Sequence, residues 1–368
     1  MLRPLLRLRF GRPMTDAPVR RPARRQAKRA VLAGLGFALL AHLGLNVALD
    51  TVRQEYRDPE YGHRRKELGR LLRWEERYGG GRPVVAVLGS SRTEMGFSPD
   101  HLGLGTGPTD PLVYNFGQAG CGPIGEVLTL RRLLDDGVRP DAVLIEVLTP
   151  VLAGDGPAEQ VVVPARKLAV RDLTRLAPYT DDPAALRRGL LTARLNPWYE
   201  YRLNLMSHWK LGSWLPWQNR QDFLWTQMRP GGWMPYFFTE MPPGKREVGL
   251  KQAKADYQAY FARYQIAPRT DKAFRGLLTE CQAHNIRAAF YLPPESPTFR
   301  GWYPPGAIET ARGYMTGLGK EYGVPVFDCR EWFDDETAFA DGHHLLGHAA
   351  EAFSRRFGAE CLGPWLAK

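Results

Sequence analysis

Short apolar runs that alternate with amphipathic stretches constrain the fold of this chain more than any other feature. Mostly apolar runs occupy positions 84–88, 112–116, 142–148, 288–292 and 324–327, and the first of them is rich in β-branched valine. Such runs are typical of strands buried on both faces of a parallel sheet. Helical patterns lie between most of them, at residues 124–134, 271–284, 308–322 and 345–357. The alternation predicts a three-layer α/β domain with a mostly parallel sheet.

An uncharged apolar stretch near the N-terminus separates a basic tail from this domain. Residues 30–49 carry no charge, and residues 1–30 hold ten basic residues against one acid. A helix of about 20 apolar residues spans the ~30 Å hydrocarbon core of a membrane. Basic residues ahead of it predict that residues 1–29 form a cytoplasmic tail and that the rest lies outside the inner (plasma) membrane. A cleaved signal peptide is the rival interpretation, but its apolar region is usually ~7–15 residues, which favours a retained anchor over 30–49.

The net charge of +11 belongs almost wholly to the basic tail. A folded nucleic-acid-binding domain would carry its own basic patch, so we expect no nucleic-acid partner. The four cysteines have no Cys-x-x-Cys spacing, and a zinc site on them is therefore not expected. Outside the cytoplasm they could pair as disulfides or remain free thiols, and the sequence leaves both open.

Two segments interrupt the alternation of strands and helices. Residues 50–81 hold a charged helical pattern that ends in three glycines, which predicts a stalk helix and a linker. Residues 151–268 hold six of the ten tryptophans and predict one aromatic-rich insertion between the two parts of the α/β domain, 82–150 and 269–368. Loops at the carboxyl edge of such a sheet form the ligand site, so the insertion could wall that site. Its aromatic residues also suit a small core or contact with the membrane interface.

Small and polar residues follow the first two predicted strands. Ser90 and Ser91 come after Gly89, where the first N–H groups of a following helix could stabilise an oxyanion. A serine that only caps that helix is the alternative. Gly120 lies in a glycine-rich turn after the second strand, either as a second oxyanion donor or as ordinary turn chemistry.

Asp341 and His344 are three residues apart just before the last predicted helix. An acid at this spacing can hold the imidazole in one tautomer while the other ring nitrogen faces a serine. Two alternatives remain open. One is metal binding by His344 and His348, four residues apart, together with Asp341. The other is a helix N-terminus capped by Asp341.

Taken together, these segments resemble the SGNH (GDSL) hydrolase superfamily over about residues 84–150 and 270–357. Gly89-Ser90-Ser91 resembles its first block, with Ser91 as the nucleophile and Ser90 in place of the usual Asp. Asn115 to Gly120 resembles the second block, and Asp341-x-x-His344 matches the last. The third block, Gly-x-Asn-Asp, is replaced at 145–150 by Ile-Glu-Val-Leu-Thr-Pro. One oxyanion donor is thus missing, a loss that typically costs about 2.7–4 kcal/mol of transition-state stabilisation.

The resemblance implies a flavodoxin-like domain in which Ser91, His344 and Asp341 are catalytic and the N–H groups of Ser91 and Gly120 hold the oxyanion, without a cofactor or metal. Membrane-anchored members of similar pattern act in D-alanyl-lipoteichoic acid biosynthesis and exopolysaccharide acetylation. They imply a serine esterase or O-acyltransferase acting on acyl esters of an envelope or extracellular polysaccharide. Expected partners are an acylated glycan, the membrane and a membrane acyltransferase. The alternative is a non-catalytic SGNH-like scaffold that binds glycan or such an acyltransferase.

Overall fold

A computed structural model of the chain describes residues 24–77, 81–153, 164–209 and 211–368. The basic residues 1–23 and the glycines at 79 and 80 lie outside this description. The chain divides into two compact units, Met1–Asn46 and Val47–Lys368. The first contains most of helix α1 (Arg24–Asp50), in which an 18-residue window has a mean hydropathy of 1.8. Within the described ranges, α1 is the one helix long and apolar enough to cross a membrane, as the apolar stretch predicts.

The second unit is built on a five-stranded sheet. Its strands are β1 (Val84–Leu88), β2 (Leu112–Asn115), β3 (Ala142–Glu146), β4 (Arg287–Leu292) and β5 (Val326–Asp328). They lie in the order β2-β1-β3-β4-β5, and every neighbouring pair is parallel. The predicted α/β class with a parallel sheet is therefore confirmed. β5 begins two residues later than predicted, because Pro325 has no N–H to donate to the ladder.

Helices precede, connect and follow these strands. Before β1 come α2 (Gln54–Arg57) and α3 (Pro59–Arg77); between β1 and β4 come α4 (Ser91–Gly96), α5 (Pro123–Asp135), α6 (Val170–Leu176), α7 (Pro183–Leu195), α8 (Pro197–Glu200), α9 (Arg202–His208), α10 (Phe223–Thr226), α11 (Lys245–Phe261) and α12 (Pro268–Ala283). After β4 come α13 (Pro297–Arg300), α14 (Ala307–Tyr322), α15 (Gly347–Phe357) and α16 (Gly363–Leu366).

Successive residues of β1 point to opposite faces of the sheet, as the pleat requires. Ala86 and Leu88 belong to one buried apolar cluster, which they share with residues of α3, α5, α12 and α14. Val85 and Val87 belong to a second cluster with residues of α15. Helices therefore cover both faces, which gives the three predicted layers.

The predicted stalk at residues 50–81 differs from the structure. Pro59 begins α3, and the helical pattern is split there into α2 and α3. Tyr61 and Leu68 of α3 are fully buried in the same cluster as Leu88. α3 therefore packs against the sheet as part of the second unit and does not stand apart from it.

The described part of residues 151–268 holds helices and loops and no strand. Its aromatic side chains divide between the core and the surface. Tyr179 lies in one core cluster and Trp233 in the other, whereas Trp198, Tyr199 and Phe237 are exposed. The core alternative is thus confirmed for Tyr179 and Trp233, and a binding wall or membrane contact stays a prediction for the exposed residues.

The four cysteines are free thiols in this structure, and Cys281 and Cys329 are buried. Burial raises the pKa of Cys281 to about 12, which favours its protonated form. The Cys329 thiol donates a hydrogen bond to the Phe327 carbonyl at 3.8 Å, and Cys329 as a neighbour lowers the pKa of Cys361. The two thiols are therefore neighbours that join the loop after β5 to the C-terminal end of the chain.

Candidate active site

The turn after β1 carries the predicted serine. Ser90 caps α4, because its Oγ accepts a hydrogen bond from the Arg92 N–H at 3.1 Å. Gly89 is required by close packing: an added Cβ would lie 1.9 Å from Thr93 Oγ1 and 2.3 Å from Glu146 Oε2. The serine-cap alternative therefore applies to Ser90 and leaves Ser91, the first residue of α4, for the site.

The loop before α15 carries the predicted acid and histidine. Phe339 and Leu345 form an isolated bridge, and the Ala340 N–H donates to the His344 carbonyl at 2.8 Å. Inside the loop, the His344 N–H donates to Asp341 Oδ1 at 3.0 Å. α15 begins only at residue 347, two residues later than predicted, because residue 345 is held in the bridge. The Asp341 carboxylate thus closes the loop and does not cap the helix, so that alternative is wrong.

A continuous chain of hydrogen bonds joins the three predicted side chains. Ser91 Oγ lies 2.7 Å from His344 Nε2, and His344 Nδ1 lies 2.7 Å from Asp341 Oδ2. The side chains of His344 and Asp341 are 15% and 16% exposed, so a ligand can reach the group from solvent. An ionised Asp341 accepts the Nδ1–H and fixes the tautomer whose Nε2 can accept the serine proton.

His343 also lies beside Asp341: its backbone N–H donates to Asp341 Oδ1 at 3.3 Å, and its Nδ1 lies 3.3 Å from the same oxygen without a hydrogen bond. Burial opposes ionisation of Asp341. The two neighbouring histidines and the hydrogen bonds that His344 donates outweigh burial, and they hold the pKa of Asp341 well below its usual range. Burial, with His344 alongside, lowers the pKa of His343 well below its usual value. At neutral pH the group therefore contains an ionised acid and a neutral His343.

Glu146, the last residue of β3, lies against the turn of residues 89–91, which carries Ser91 and which we call the nucleophile turn after the predicted role of that serine. Its carboxylate accepts hydrogen bonds from the Ser90 N–H, from Ser90 Oγ at 3.1 Å and from Thr93 Oγ1 at 2.8 Å. Burial raises the pKa of Glu146, although the bonds from Ser90 and Thr93 oppose this. Sequence reasoning missed this residue. An acid that ends an apolar strand at the carboxyl edge of the sheet was the signal that could have found it.

Two buried ion pairs fix other side chains of α4. Arg92 pairs with Glu295 of the loop after β4 at 2.8 Å, and Glu94 pairs with Arg64 of α3 at 2.8 Å. All four side chains are at most 2% exposed. Buried charges need such partners, so α4 is held in one position by elements on several sides.

The turn after β2 packs behind α4. Asn115 Nδ2 donates to the carbonyls of Thr93 and Phe97, each at 2.7 Å, and Asn115 Oδ1 accepts from the Gly117 N–H at 2.7 Å. An added Cβ at Gly117 would lie 2.3 Å from the backbone nitrogen of Glu94. The residues that resemble the second block therefore support the position of α4.

Gly120, the predicted second oxyanion donor, has a φ of 70°, a conformation that favours glycine. It lines a narrow cleft with Cys121 and Thr129, and Ser91 is not among the residues of that cleft. None of the hydrogen bonds found within the described ranges joins Gly120 to Ser91 or His344. Its role as an oxyanion donor stays a prediction.

The side chains that could hold a metal ion are not the set that the sequence predicts. Potential ligand atoms of Asp341, His343 and His344 lie within 4.8 Å of one another, and His348 is not part of this group. Both ring nitrogens of His344 are engaged, one by Asp341 and one by Ser91. As arranged, His344 has no free lone pair for a cation, and the geometry favours proton transfer.

A cleft of about 1000 Å³ opens beside the histidine loop. One wall is the insertion segment 233–238, which is tied to α4 because Trp233 Nε1 donates to the Met95 carbonyl at 2.8 Å. The ring centroids of Tyr236 and His344 are 6.2 Å apart, and Tyr236 stacks on Phe237 at 4.6 Å. His101 and Glu351, 3.6 Å apart, add polar groups to the lining. The cleft therefore offers aromatic and polar surface, and Tyr236 connects its lining to His344, whereas Ser91, Asp341 and His344 are not among its lining residues.

Comparison with known proteins identifies no relative: no protein-family model matches the chain, and no curated protein matches it significantly.

Proposed function

We propose that this chain is a membrane-anchored serine esterase or O-acyltransferase of SGNH type that acts on acyl esters of an envelope or extracellular polysaccharide. The observation that carries the proposal is the hydrogen-bonded chain from Ser91 through His344 to Asp341. A nucleophile, a base within hydrogen-bond distance and an acid that orients the base serve acyl transfer on several unrelated folds. The proposed reaction needs no metal or cofactor.

The topology of the sheet supports an SGNH-type, flavodoxin-like domain. The strand order β2-β1-β3-β4-β5 is that of flavodoxin-like folds. Ligands of such folds bind outside the carboxyl ends of the strands, at the point where the strand order reverses. β1 and β3 flank that point, and they lead into Ser91 and end in Glu146.

In the proposed mechanism, Ser91 Oγ attacks the carbonyl carbon of the ester while His344 Nε2 takes the Oγ proton. Asp341 stabilises the imidazolium, and the N–H groups of Ser91 and Gly120 hold the oxyanion. The ester C–O bond then breaks, His344 returns the proton to the leaving sugar hydroxyl, and the acyl group stays on Ser91. Water or a second sugar hydroxyl attacks this acyl-enzyme, again with His344 as base, which releases the acid or a new ester.

A fluorophosphonate probe tests the nucleophile. We expect the full-length protein to be labelled and Ser91→Ala to lose the label, because the probe reacts with an activated serine oxygen. Ser213→Ala, which alters an exposed serine of the insertion, should label like the wild type. Equal labelling of wild type and Ser91→Ala, or none in either, would contradict the assignment.

A non-catalytic scaffold is the second candidate, and the absent third-block Asn favours it. Residues 147–150, where the family carries that Asn, read Val-Leu-Thr-Pro. Under this alternative the chain binds glycan equally well with and without Ser91 and turns over no small acyl ester. The labelling experiment and a glycan-binding measurement on Ser91→Ala separate the two.

The cleft beside His344 supports a glycan as the substrate class. Its volume of about 1000 Å³ is at the upper end for small-molecule sites and has room for several sugar units. Phe237 is 66% exposed and presents a ring face, while polar groups such as His101 and Glu351 can meet hydroxyls. In this arrangement the polymer lies along the aromatic wall, and one acyl group reaches Ser91.

Kinetics on two substrates test the cleft. We expect Phe237→Ala to raise the KM for an acetylated oligosaccharide roughly fivefold, since a lost ring contact costs about 1 kcal/mol. Its kcat and its hydrolysis of p-nitrophenyl acetate should stay unchanged. Trp74→Ala removes an equally prominent surface ring, 59% exposed on α3, and should leave both substrates unaffected. An unchanged KM for the oligosaccharide in Phe237→Ala would place the glycan elsewhere.

We further propose that α1 anchors the chain in the inner (plasma) membrane with the second unit outside the cytoplasm. The basic residues ahead of α1 support this orientation. In this setting a membrane acyltransferase is a suitable partner, because it could supply acyl groups across the same bilayer. A C-terminal alkaline phosphatase fusion should be active, since that enzyme folds only outside the cytoplasm. An inactive fusion would mean that the second unit lies in the cytoplasm, contrary to the proposal.

A further inference from the structure

The second unit begins at the end of α1 without a spacer. Residues 30–49 carry no charge, form about 30 Å of helix, and are followed by Asp50. Leu49 is fully buried, and its carbonyl accepts a hydrogen bond from Arg57 at 3.0 Å. Folded structure is therefore present at the level where a spanning helix leaves the hydrocarbon.

Asp50 accepts hydrogen bonds both from α2 and from the insertion. Its Oδ1 accepts from Arg57 at 2.9 Å and also from Arg194 of α7. α9 is tied to the same place, because Asn204 Nδ2 donates to the Tyr56 carbonyl at 2.9 Å. The ring of His208, which ends α9, lies 4.4 Å from that of Tyr56. Parts of α7 and α9 thus lie within about one side-chain length of the residues that follow the apolar helix.

The same helices expose large apolar side chains. Leu191 and Leu195 are one turn apart on α7, close to Arg194, and are 59% and 68% exposed. Trp198 follows at the start of α8 and is 46% exposed. We name the exposed apolar residues of α7, of α8 and of the positions next to Asp50 and His208 the anchor rim: Val52, Leu191, Leu195, Trp198, Tyr199 and Trp209. Several large apolar side chains exposed on consecutive segments are a feature of interaction surfaces.

We propose that the anchor rim is a lipid-contact surface, seated in the interfacial layer of the bilayer that α1 spans. The inference rests on the membrane anchoring proposed above. Trp and Tyr are enriched at this depth, because their rings combine an apolar body with a polar edge. Hydrogen bonds from Arg57 and Arg194 to Asp50 hold α2 and α7 close to the residue that follows the apolar stretch. The Arg202 guanidinium, 3.8 Å over the Tyr199 ring, suits a lipid phosphate at the same level.

Quenching by brominated lipid tests the rim. The full-length protein is reconstituted into phosphatidylethanolamine–phosphatidylglycerol vesicles whose acyl chains carry bromine close to the headgroups, and flotation checks the anchoring first. Residues 1–50 contain no tryptophan, so quenching reports only on the second unit. We expect the wild type to be quenched and Trp198→Phe/Trp209→Phe to lose most of that quenching. Trp74→Phe should retain it, because Trp74 lies about 22 Å along α3 from its start.

The outcomes separate the rim from the anchor. If the protein floats with the vesicles but is not quenched, the lipid contact of the rim is overturned and the anchoring stands. The same holds if wild type and Trp198→Phe/Trp209→Phe are quenched equally. Failure to float would remove both. A photo-crosslinking amino acid in place of Leu195 should capture lipid; capture of a single protein instead would overturn the lipid assignment. The altered side chains are exposed, so an unchanged melting temperature serves as the folding control.

Discussion

The Glu146 carboxylate, at the end of β3, lies against the turn that carries Ser91, a turn that resembles the first block of the SGNH family. Ser90 stands where that family has Asp, and Glu146 accepts both the N–H and the Oγ–H of Ser90. Because Thr93 of α4 donates to the same carboxylate, one buried group orients two sides of the turn that carries Ser91.

The variant Glu146→Gln tests this positioning role. Its amide has one acceptor oxygen where the carboxylate has two, so the NH2 group replaces one of the two acceptors that Ser90 now uses. Removing one partner of a buried hydrogen bond costs about 1–3 kcal/mol. If half of that appears in the transition state, kcat for a small ester falls by roughly twofold to thirteenfold while KM stays the same.

Glu126→Gln is the matched control for that variant. Glu126 is also fully buried, and burial followed by the neighbouring Glu146 raises its pKa well above the usual value. It has no hydrogen bond to the nucleophile turn among the described residues. Glu126→Gln should therefore change stability and leave kcat unaltered. Equal effects of both variants on kcat would mean that Glu146 has only a structural role.

At the scale of elements, the short helix α4 is held from several directions. Its six residues are too few for a stable isolated helix. Arg92 ties it to the loop after β4, Glu94 ties it to α3, and Thr93 ties it to β3. α3 therefore acts as a support for the nucleophile turn, although the sequence predicted it to be a stalk.

We expect Arg64→Met to destabilise the fold by about 3–5 kcal/mol, because it leaves Glu94 buried without its cation. The double variant Arg64→Met/Glu94→Leu should recover part of this loss, since no charge then remains unpaired. Chemical denaturation measures the loss, and the rate of fluorophosphonate labelling shows whether Ser91 is displaced. Arg70→Met breaks the exposed pair with Glu67 on the same helix and should cost at most about 1 kcal/mol. A double variant no more stable than Arg64→Met would contradict the ion-pair explanation.

At the scale of the whole molecule, the sequence predicts the layered sheet and the Ser–His–Asp group, because both follow from local patterns. Apolar runs define the strands, and the Asp341-x-x-His344 spacing lies within one loop. It does not predict Glu146, or the pairing of Glu94 with Arg64, because partners distant in the chain leave no periodic signal. The places of the aromatic residues in the insertion are not predicted either. Some lie in the core, some line the cleft and some belong to the exposed anchor rim, and composition alone does not distinguish these places.

Buried histidines give the folded molecule a sensitivity to acid. His63 of α3 and His208 of α9 have Nε2 atoms 2.8 Å apart, and both rings stack on Trp225. Burial and the neighbouring His208 lower the pKa of His63 to about 3, and burial lowers the pKa of His208. An unfolded histidine takes up its proton near pH 6.5. Since the unfolded chain then binds more protons, the free energy of unfolding falls as the pH drops from about 6.5 towards 3 and is unaffected above that window.

His63 alone should account for about 2 kcal/mol of lost stability between pH 7.5 and pH 5, because each pH unit below 6.5 contributes about 1.4 kcal/mol. The loss would loosen the contact between α3 and the insertion. We expect His63→Asn to be less stable than wild type at pH 7.5, through lost packing, and to lose less stability on acidification. Denaturation followed by tryptophan fluorescence across this pH range measures both. The control His284→Asn changes a histidine that is 42% exposed and should keep the wild-type pH dependence. If His63→Asn loses as much free energy of unfolding on acidification as the wild type, the sensitivity arises from other groups.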